Sequence, residues 1–409
     1  MMKEGNTPVE SGASIDVDFR FSEVVKDPYA ELARIRPLGD AIWNSQVQRL
    51  MLWRYQDVRR ILSNDRSFSN QETALKEAFG PEGMLFVNFA DHNRARGVWA
   101  KTFSAKESAD RFSWLRAISE ETLAPMIARL EAGETVDIVP AFQEITVTAI
   151  THLMDVPKDR RDDFRRWNNV LANAAQLAIP VDDPRYLHRE SVKREVYEFL
   201  EEQVADRTAR IADGGEPDDL VSMMVSASHG GDITSRAAVD NLLNLFLAAL
   251  DTTARFMGNM LVQLLLHPEV LDEIRRDRDL LPNAIEEVFR LHPANQVISR
   301  RVEADDVVVG GRAVPKGEEI FLLTGAANRD PAMFEDPERF DIRRPNASAH
   351  LAFGWGVHQC IGLHLARTEI HAFFHHLLDV LPKVEIVSID YGDNWTLWGP
   401  HELMLQRVP

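Results

Sequence analysis

A chain of 409 residues with 45% hydrophobic and 27% charged residues can bury a large core, and its balance excludes disordered and fibrous classes. The net charge of −18 argues against nucleic acid as a partner, because phosphate binding needs a dense basic face. The single cysteine, Cys360, excludes an intramolecular disulfide, and the start MMKEGNTPVE lacks the apolar core of a secretory signal, so a cytoplasmic protein is expected.

Residues 1–20 read as an N-terminal tail and 21–409 as one domain, since no linker, repeat or low-complexity stretch divides the chain. DHNRAR at 91–96 places His92 and Arg96 four apart, and taken alone they read as solvated charges. RRWNNVLANAAQLAI, REVYEFLEEQVADRTARIA and RAAVDNLLNLFLAALDTTARFMGNMLVQLLLH each carry apolar residues at the helical period, with stops at Pro180, Gly214 and Pro268. The third predicts a buried helix from Val239 to His267, about 40 Å long at 1.5 Å per residue. Its apolar run LLNLFLAAL meets Asp251, Thr252, Thr253 and Arg255 too soon to span a membrane. Acid and hydroxyl groups in such a helix need partners, and a threonine commonly finds one in the preceding turn.

Farther on, AIEEVFRLHP sets Glu287 and Arg290 on one helix face, by itself the pattern of a weak surface ion pair. β-Branched runs in DDVVVGGRAVPKGEEIFLLTG, broken at Gly310-Gly311 and Pro315-Lys316-Gly317, predict strands, as does ELMLQRV near the C-terminus. The expected architecture is therefore mainly α with a small β part.

Cys360 lies in FGWGVHQCIG, just before a helix whose apolar stripe runs through Leu363, Ala366, Ile370, Phe373 or Phe374, Leu377 and Leu381. Unpaired backbone N–H groups at a helix start favour a thiolate, the form of cysteine that binds metals. Gly354, Gly356 and Gly362 would admit a large flat ligand, and Phe353 and Trp355 would shield the sulfur. Three other readings stand beside this one: an inert core thiol, a nucleotide loop that lacks its third glycine, and a nucleophile served by His358. His364, His371, His375 and His376 mostly fall off the apolar stripe of that helix, so no second metal is expected.

Phe353, Gly354, Gly356, His358, Cys360 and Gly362, continued by LHLAR, resemble the haem-ligand loop of the cytochrome P450 family, and further motifs follow in the family's order. The resemblance implies the P450 fold from about residue 20, with haem b between the long distal helix and the proximal cysteine helix. Cys360 would be the proximal thiolate ligand. His92, Arg96, His358 and Arg301, with Arg300 as rival, would meet the propionates. Ala248, Phe353, Gly354 and Gly362 would contact the cofactor. Ala248, Ala249, Asp251 and Thr252 align with the family's distal motif, Ala249 replacing the usual glycine, so Thr252 would hold water and Asp251 would relay protons. Glu287 and Arg290 match the family's E-x-x-R pair, and FEDPERF supplies Arg339 as the implied third member of a buried network.

By position, Leu85, Phe86, Val87, Leu247, Ala248, Val297, Ile298 and Trp398 would line the substrate pocket, favouring a small-to-medium hydrophobic substrate. Asn168, Asn169, Asn173, Gln176 and Arg185 in the pocket roof would offer polar anchors. The implied activity is that of a soluble bacterial monooxygenase. It would insert one atom of O2 into a C–H bond, or remove an O- or N-alkyl group, with electrons from a ferredoxin and its NAD(P)H-dependent reductase. The ferredoxin would dock near Arg94, Lys101 and Arg367. A peroxide-driven peroxygenase and a non-catalytic haem sensor are the competing readings, and the Asp251–Thr252 pair argues for the oxygen-dependent cycle.

Overall fold

A computed structural model of the chain describes residues 13–18, 22–70, 76, 79–175 and 183–408. Helices dominate, and the strands are β1 (Ser14–Ile15), β2 (Ala41–Asn44), β3 (Arg49–Leu52), β4 (Phe68–Ser69), β5 (Val136–Asp137), β6 (Val297–Val302), β7 (Val307–Val309), β8 (Arg312–Val314), β9 (Glu319–Leu323), β10 (Val384–Asp390) and β11 (Glu402–Arg407). They form a sheet of order β1-β2-β3-β9-β6-β4, a second of order β10-β11-β5, and the β7-β8 hairpin. The strands predicted around 307–323 and at the C-terminus are present. The β2-β3 hairpin was less legible, because its turn uses Gln48 at φ +53° in place of an Asn-Gly or Asp-Gly signal. Ser14–Ile15, within the expected tail, pair with Trp43 and Asn44.

The long helix runs without a break over Ser235–Leu266, about 48 Å at 1.5 Å per residue, and begins four residues earlier than predicted. Thr234 Oγ1 caps it by accepting from the Ala237 amide at 2.9 Å. Ala249 sits in regular helix, so the missing glycine leaves no gap in the element. The helix is apolar on nearly every side because it joins the two largest apolar clusters. Leu242 to Leu250 pack with Phe164, Trp167 and Phe199, while Ala254 to Leu264 pack with Phe142, Phe373 and Phe374. Among the described residues no helix is long and apolar enough to cross a membrane.

Candidate active site

The cysteine loop is shaped first by its backbone. Gly354 and Gly356 adopt φ of +67° and +77°, a region that favours glycine. A Cβ on Gly356 would come within 2.5 Å of Leu62 O, so this glycine serves the packing of the loop on the helix Tyr55–Leu62 rather than the approach of a flat ligand. The Cys360 amide donates to Phe353 O at 2.9 Å, and the cysteine helix, Leu363–Val380, starts after Gly362. Phe353 is held between the Phe289 ring, 4.6 Å away by centroids, and the Arg367 guanidinium, 4.8 Å from its ring centre.

The Cys360 thiol lies deep in the molecule, yet the residue keeps accessible surface. Burial pushes its pKa up, while the Gly362 N–H and the charges of Arg96 and Arg367 pull it down less strongly. Burial thus favours the protonated form of the free thiol, and a bound haem iron would take the proton's place. Across this region, Ala249 of the long helix and Ile361 and Leu365 of the cysteine segment border one apolar cluster.

The helix Phe89–Trp99 and strand β6 add guanidinium and imidazole groups. His92 is buried with its ring centroid 4.2 Å from that of His358, and the charge of Arg96 acts on both His358 and Cys360. Alternation along β6 turns Arg300 inward and Arg301 outward. Arg301, the expected propionate contact, has a 40% exposed side chain 4.0 Å from Glu303, and Arg300 takes the inner position in its stead. Burial alone pushes the Arg300 pKa down to about 10. The His358 pKa falls to about 3, through burial first and then through His92, Arg300 and Arg96, and its Nε2 is buried without a partner. No carboxylate among the described residues pairs with Arg300 or Arg96. Buried guanidiniums and imidazoles lacking an anion fit a ligand that carries carboxylates, as the two propionates of haem b do.

On the long helix, Ala248 is exposed while Leu247 and Leu250 are buried, so Ala248 keeps open surface and Leu247 turns into the apolar cluster behind it. Thr252 Oγ1 donates to Ala248 O at 2.9 Å, leaving its lone pairs free to accept. Asp251 forms a buried ion pair with Arg255 at 3.2 Å, and Arg255 also donates to Gly399 O at 3.0 Å. The spacing of four was the sequence signal for this pair, overshadowed by the acid–alcohol dipeptide. Asp251 borders a polar cleft with Gln143, Asn169, Arg255 and His401.

The expected pocket residues divide. Leu85 keeps exposed surface, Val87 is half-buried and Phe86 is buried. Ile298 lies against the cysteine loop, 3.5 Å from where a Gly354 Cβ would stand, while Val297 packs toward the N-terminal cluster. Trp398 is a core residue rather than a pocket wall: its ring stacks on Tyr391 at 4.8 Å, and its indole N–H donates to Val25 O at 2.7 Å. Of the roof anchors, Asn168 is buried, Asn169 lines the Asp251 cleft, and Arg185 is paired with Asp183 at 2.8 Å. The Asn173 side chain and Gln176 lie outside the described residues.

Glu287 and Arg290, on the helix Leu281–Leu291, form a fully buried bidentate pair with both contacts at 2.8 Å. The third side chain is Arg344, whose Nε donates to Glu287 Oε1 at 3.0 Å. Arg339, expected in that place, contributes only its backbone carbonyl, which accepts from Arg290 and Arg344. FEDPERF does approach the network, but through the backbone carbonyls of Glu335, Asp336, Pro337 and Arg339. Arg290 also donates to Asn328 O at 2.9 Å, and Asn328 Oδ1 accepts from the Leu351 amide at 2.7 Å, so the network leads into the cysteine loop.

Arg367 is likewise committed, donating to both oxygens of Glu286 at 2.6 and 2.9 Å, and is no free surface charge for docking. Burial would raise the Glu286 pKa, yet its hydrogen bonds hold it down at about 2. Burial pushes the neighbouring His350 below its ordinary range, so Arg367 is the cation responsible near neutral pH.

Comparison with known proteins gives this geometry a class. Residues 41–382 match the family model described as Cytochrome P450, and the chain belongs to that family. It is a P450 monooxygenase that binds haem b, with Cys360 as the proximal thiolate ligand, and it uses O2, an organic substrate and external electrons. It is 33% identical over 363 residues to Cytochrome P450 107B1 of Saccharopolyspora erythraea, spanning 84% of this chain and 85% of that one. It is 29% identical over 387 residues to Mycinamicin IV hydroxylase/epoxidase of Micromonospora griseorubida, 91% of each chain. Cytochrome P450 CYP109Q5 from Chondromyces apiculatus superposes with a TM-score of 0.83 at 28% identity, over 97% of this chain and 99% of that structure.

Proposed function

We propose that this P450 hydroxylates, or O- or N-dealkylates, a small-to-medium hydrophobic molecule with electrons from a separate ferredoxin and its reductase. The observation that carries the oxygen-dependent reading is the long helix itself. Thr252 Oγ1 is held by Ala248 O beside the exposed Ala248, and the adjacent Asp251 opens onto a polar cleft. Haem b supplies dioxygen activation when bound. Thr252 offers a hydroxyl acceptor that keeps water in place, and Asp251 passes protons inward from the cleft. A relative named for hydroxylating or epoxidising mycinamicin IV supports oxygen insertion as the reaction type.

Removing the hydroxyl should separate electron consumption from product formation. Thr252→Ala is expected to go on oxidising reduced nicotinamide with a ferredoxin pair while product per nicotinamide falls roughly tenfold or more and hydrogen peroxide accumulates. Unchanged coupling would remove Thr252 from the proton path.

Arg96, Arg300, His92 and His358 hold the propionates in this reading, and Arg301 does not. Arg300→Leu removes a buried cation that no carboxylate among the described residues matches. The haem-free protein should therefore lose no stability, while haem transfer to apomyoglobin should quicken roughly 10- to 100-fold, the range for losing charge-assisted hydrogen bonds of about 1.5–3 kcal/mol. Arg301→Leu should transfer haem at the wild-type rate. Equal rates for all three proteins would overturn the assignment.

With Arg367 paired to Glu286 and Arg94 to Asp91, ferredoxin docking falls to the exposed Lys101 and to Arg59, which lies over the Trp355 ring at 4.3 Å beside the exposed Val357. Reduction by ferredoxin that is indifferent to salt and to reversal of these charges would count against electrostatic docking there.

A further inference from the structure

The N-terminal third of the long helix carries three polar side chains that haem binding and proton delivery leave unused. Asp240, Asn241 and Asn244 are all buried, and each binds the backbone of the segment 79–85. Asp240 Oδ2 accepts from the Glu82 amide at 2.8 Å, Asn241 Oδ1 from the Met84 amide at 2.8 Å, and Asn244 Oδ1 from the Leu85 amide at 3.3 Å. Asn244 Nδ2 donates back to Phe79 O. Asp240 is itself fixed by the Tyr197 hydroxyl and by Arg236, each at 2.9 Å.

Glycines make this approach possible. A Cβ on Gly83 would stand 2.4 Å from Asn244 Oδ1, and one on Gly80, at φ +96°, would stand 2.9 Å from the Asp240 side chain. Asn241, Asn244, Ala248 and Thr252 are spaced three, four and four apart, which puts them on one stripe of the helix. The loop is therefore bound about 6 Å, one turn, from the exposed Ala248 and on the same stripe of the helix.

We propose that Asn241 and Asn244 are specificity-determining positioning residues. They clamp the 79–85 backbone onto the long helix so that Leu85 forms a fixed substrate-side wall. The idea rests on the proposed location of the substrate, and physically it means a pocket whose width at this wall is set before substrate arrives. Buried amides are expensive to leave unpaired, so four backbone contacts on three side chains hold one register.

The test uses haem-loaded Asn244→Leu and Asn241→Leu, with imidazole and 4-phenylimidazole as iron-binding probes of small and larger bulk. Amide exchange at Met84 and Leu85 is expected to accelerate at least tenfold. The ratio of the two Kd values should change at least fivefold, with imidazole affinity itself within twofold of wild type. Gly83→Ala, which leaves the long helix untouched, should reproduce both changes and decides the matter if an Asn variant fails to fold. Faster exchange with an unchanged Kd ratio would reduce the contacts to a structural role, and unchanged exchange would show that they do not hold the loop. Either result overturns the proposal. An intact thiolate-type band in the reduced CO complex separates its failure from a failure of haem binding.

Discussion

Reduced Cys360→Ser protein exposed to carbon monoxide is expected to lack the thiolate-type absorption band of wild type, and its turnover should fall below one-hundredth, a barrier increase of about 3 kcal/mol or more. The site explains why the loss is so large. Burial already raises the thiol pKa despite the Gly362 N–H and the charges of Arg96 and Arg367, so ionisation here depends on the metal. A serine hydroxyl is a much weaker acid and a poorer electron donor to iron. The loop should survive the change, because its shape comes from the Cys360 amide on Phe353 O and from Gly356 against Leu62 O, neither of which uses the sulfur. Far-ultraviolet circular dichroism should thus match wild type. A mutant that kept the thiolate band would falsify the ligand assignment.

Glu287→Ala is expected to lower stability by about 3–5 kcal/mol, read as a drop in the urea midpoint, because it leaves both Arg290 and Arg344 buried without their counter-charge. Arg344→Ala should be destabilising in the same sense, since it removes the Glu287 contact and three donations to backbone carbonyls, of Glu335, Asp336 and Arg339. Arg339→Ala should stay within about 0.5 kcal/mol of wild type, as expected where only the backbone of a residue is used. The contrast between these two arginine variants tests the corrected network directly. Equal losses at Arg339 and Arg344 would restore Arg339 to it.

Periodicity in the sequence was enough for the mainly α architecture, the long buried helix and the strands near Gly310 and the C-terminus, because those signals are local. The family resemblance likewise lay in short motifs around Cys360, Asp251–Thr252 and Glu287–Arg290, where chemistry constrains residue type at fixed spacing. What escaped depended on partners far away in the chain. Arg300 and Arg301 are adjacent, and only the register of β6 against β9 decides which one is buried beside His358. Arg339 and Arg344 both follow the E-x-x-R helix, and the turns between them bring the guanidinium of the second to Glu287, while the first offers only its carbonyl, to Arg290 and Arg344.

Trp398 looked like a pocket residue by position, but an unsatisfied indole N–H is costly in a core, and the Val25 carbonyl that satisfies it lies at the other end of the chain. Nothing local in the sequence marks Asp240, Asn241 and Asn244 as loop contacts, because the backbone they bind, with Gly80 and Gly83 admitting it, lies far earlier in the chain. The sequence by itself determined the reaction class, the metal ligand and the helical frame, since each rests on residue types at short range. The tertiary structure alone decided which of two neighbouring side chains carries a role, because burial and hydrogen-bond partners are set by segments that meet only once the chain is folded.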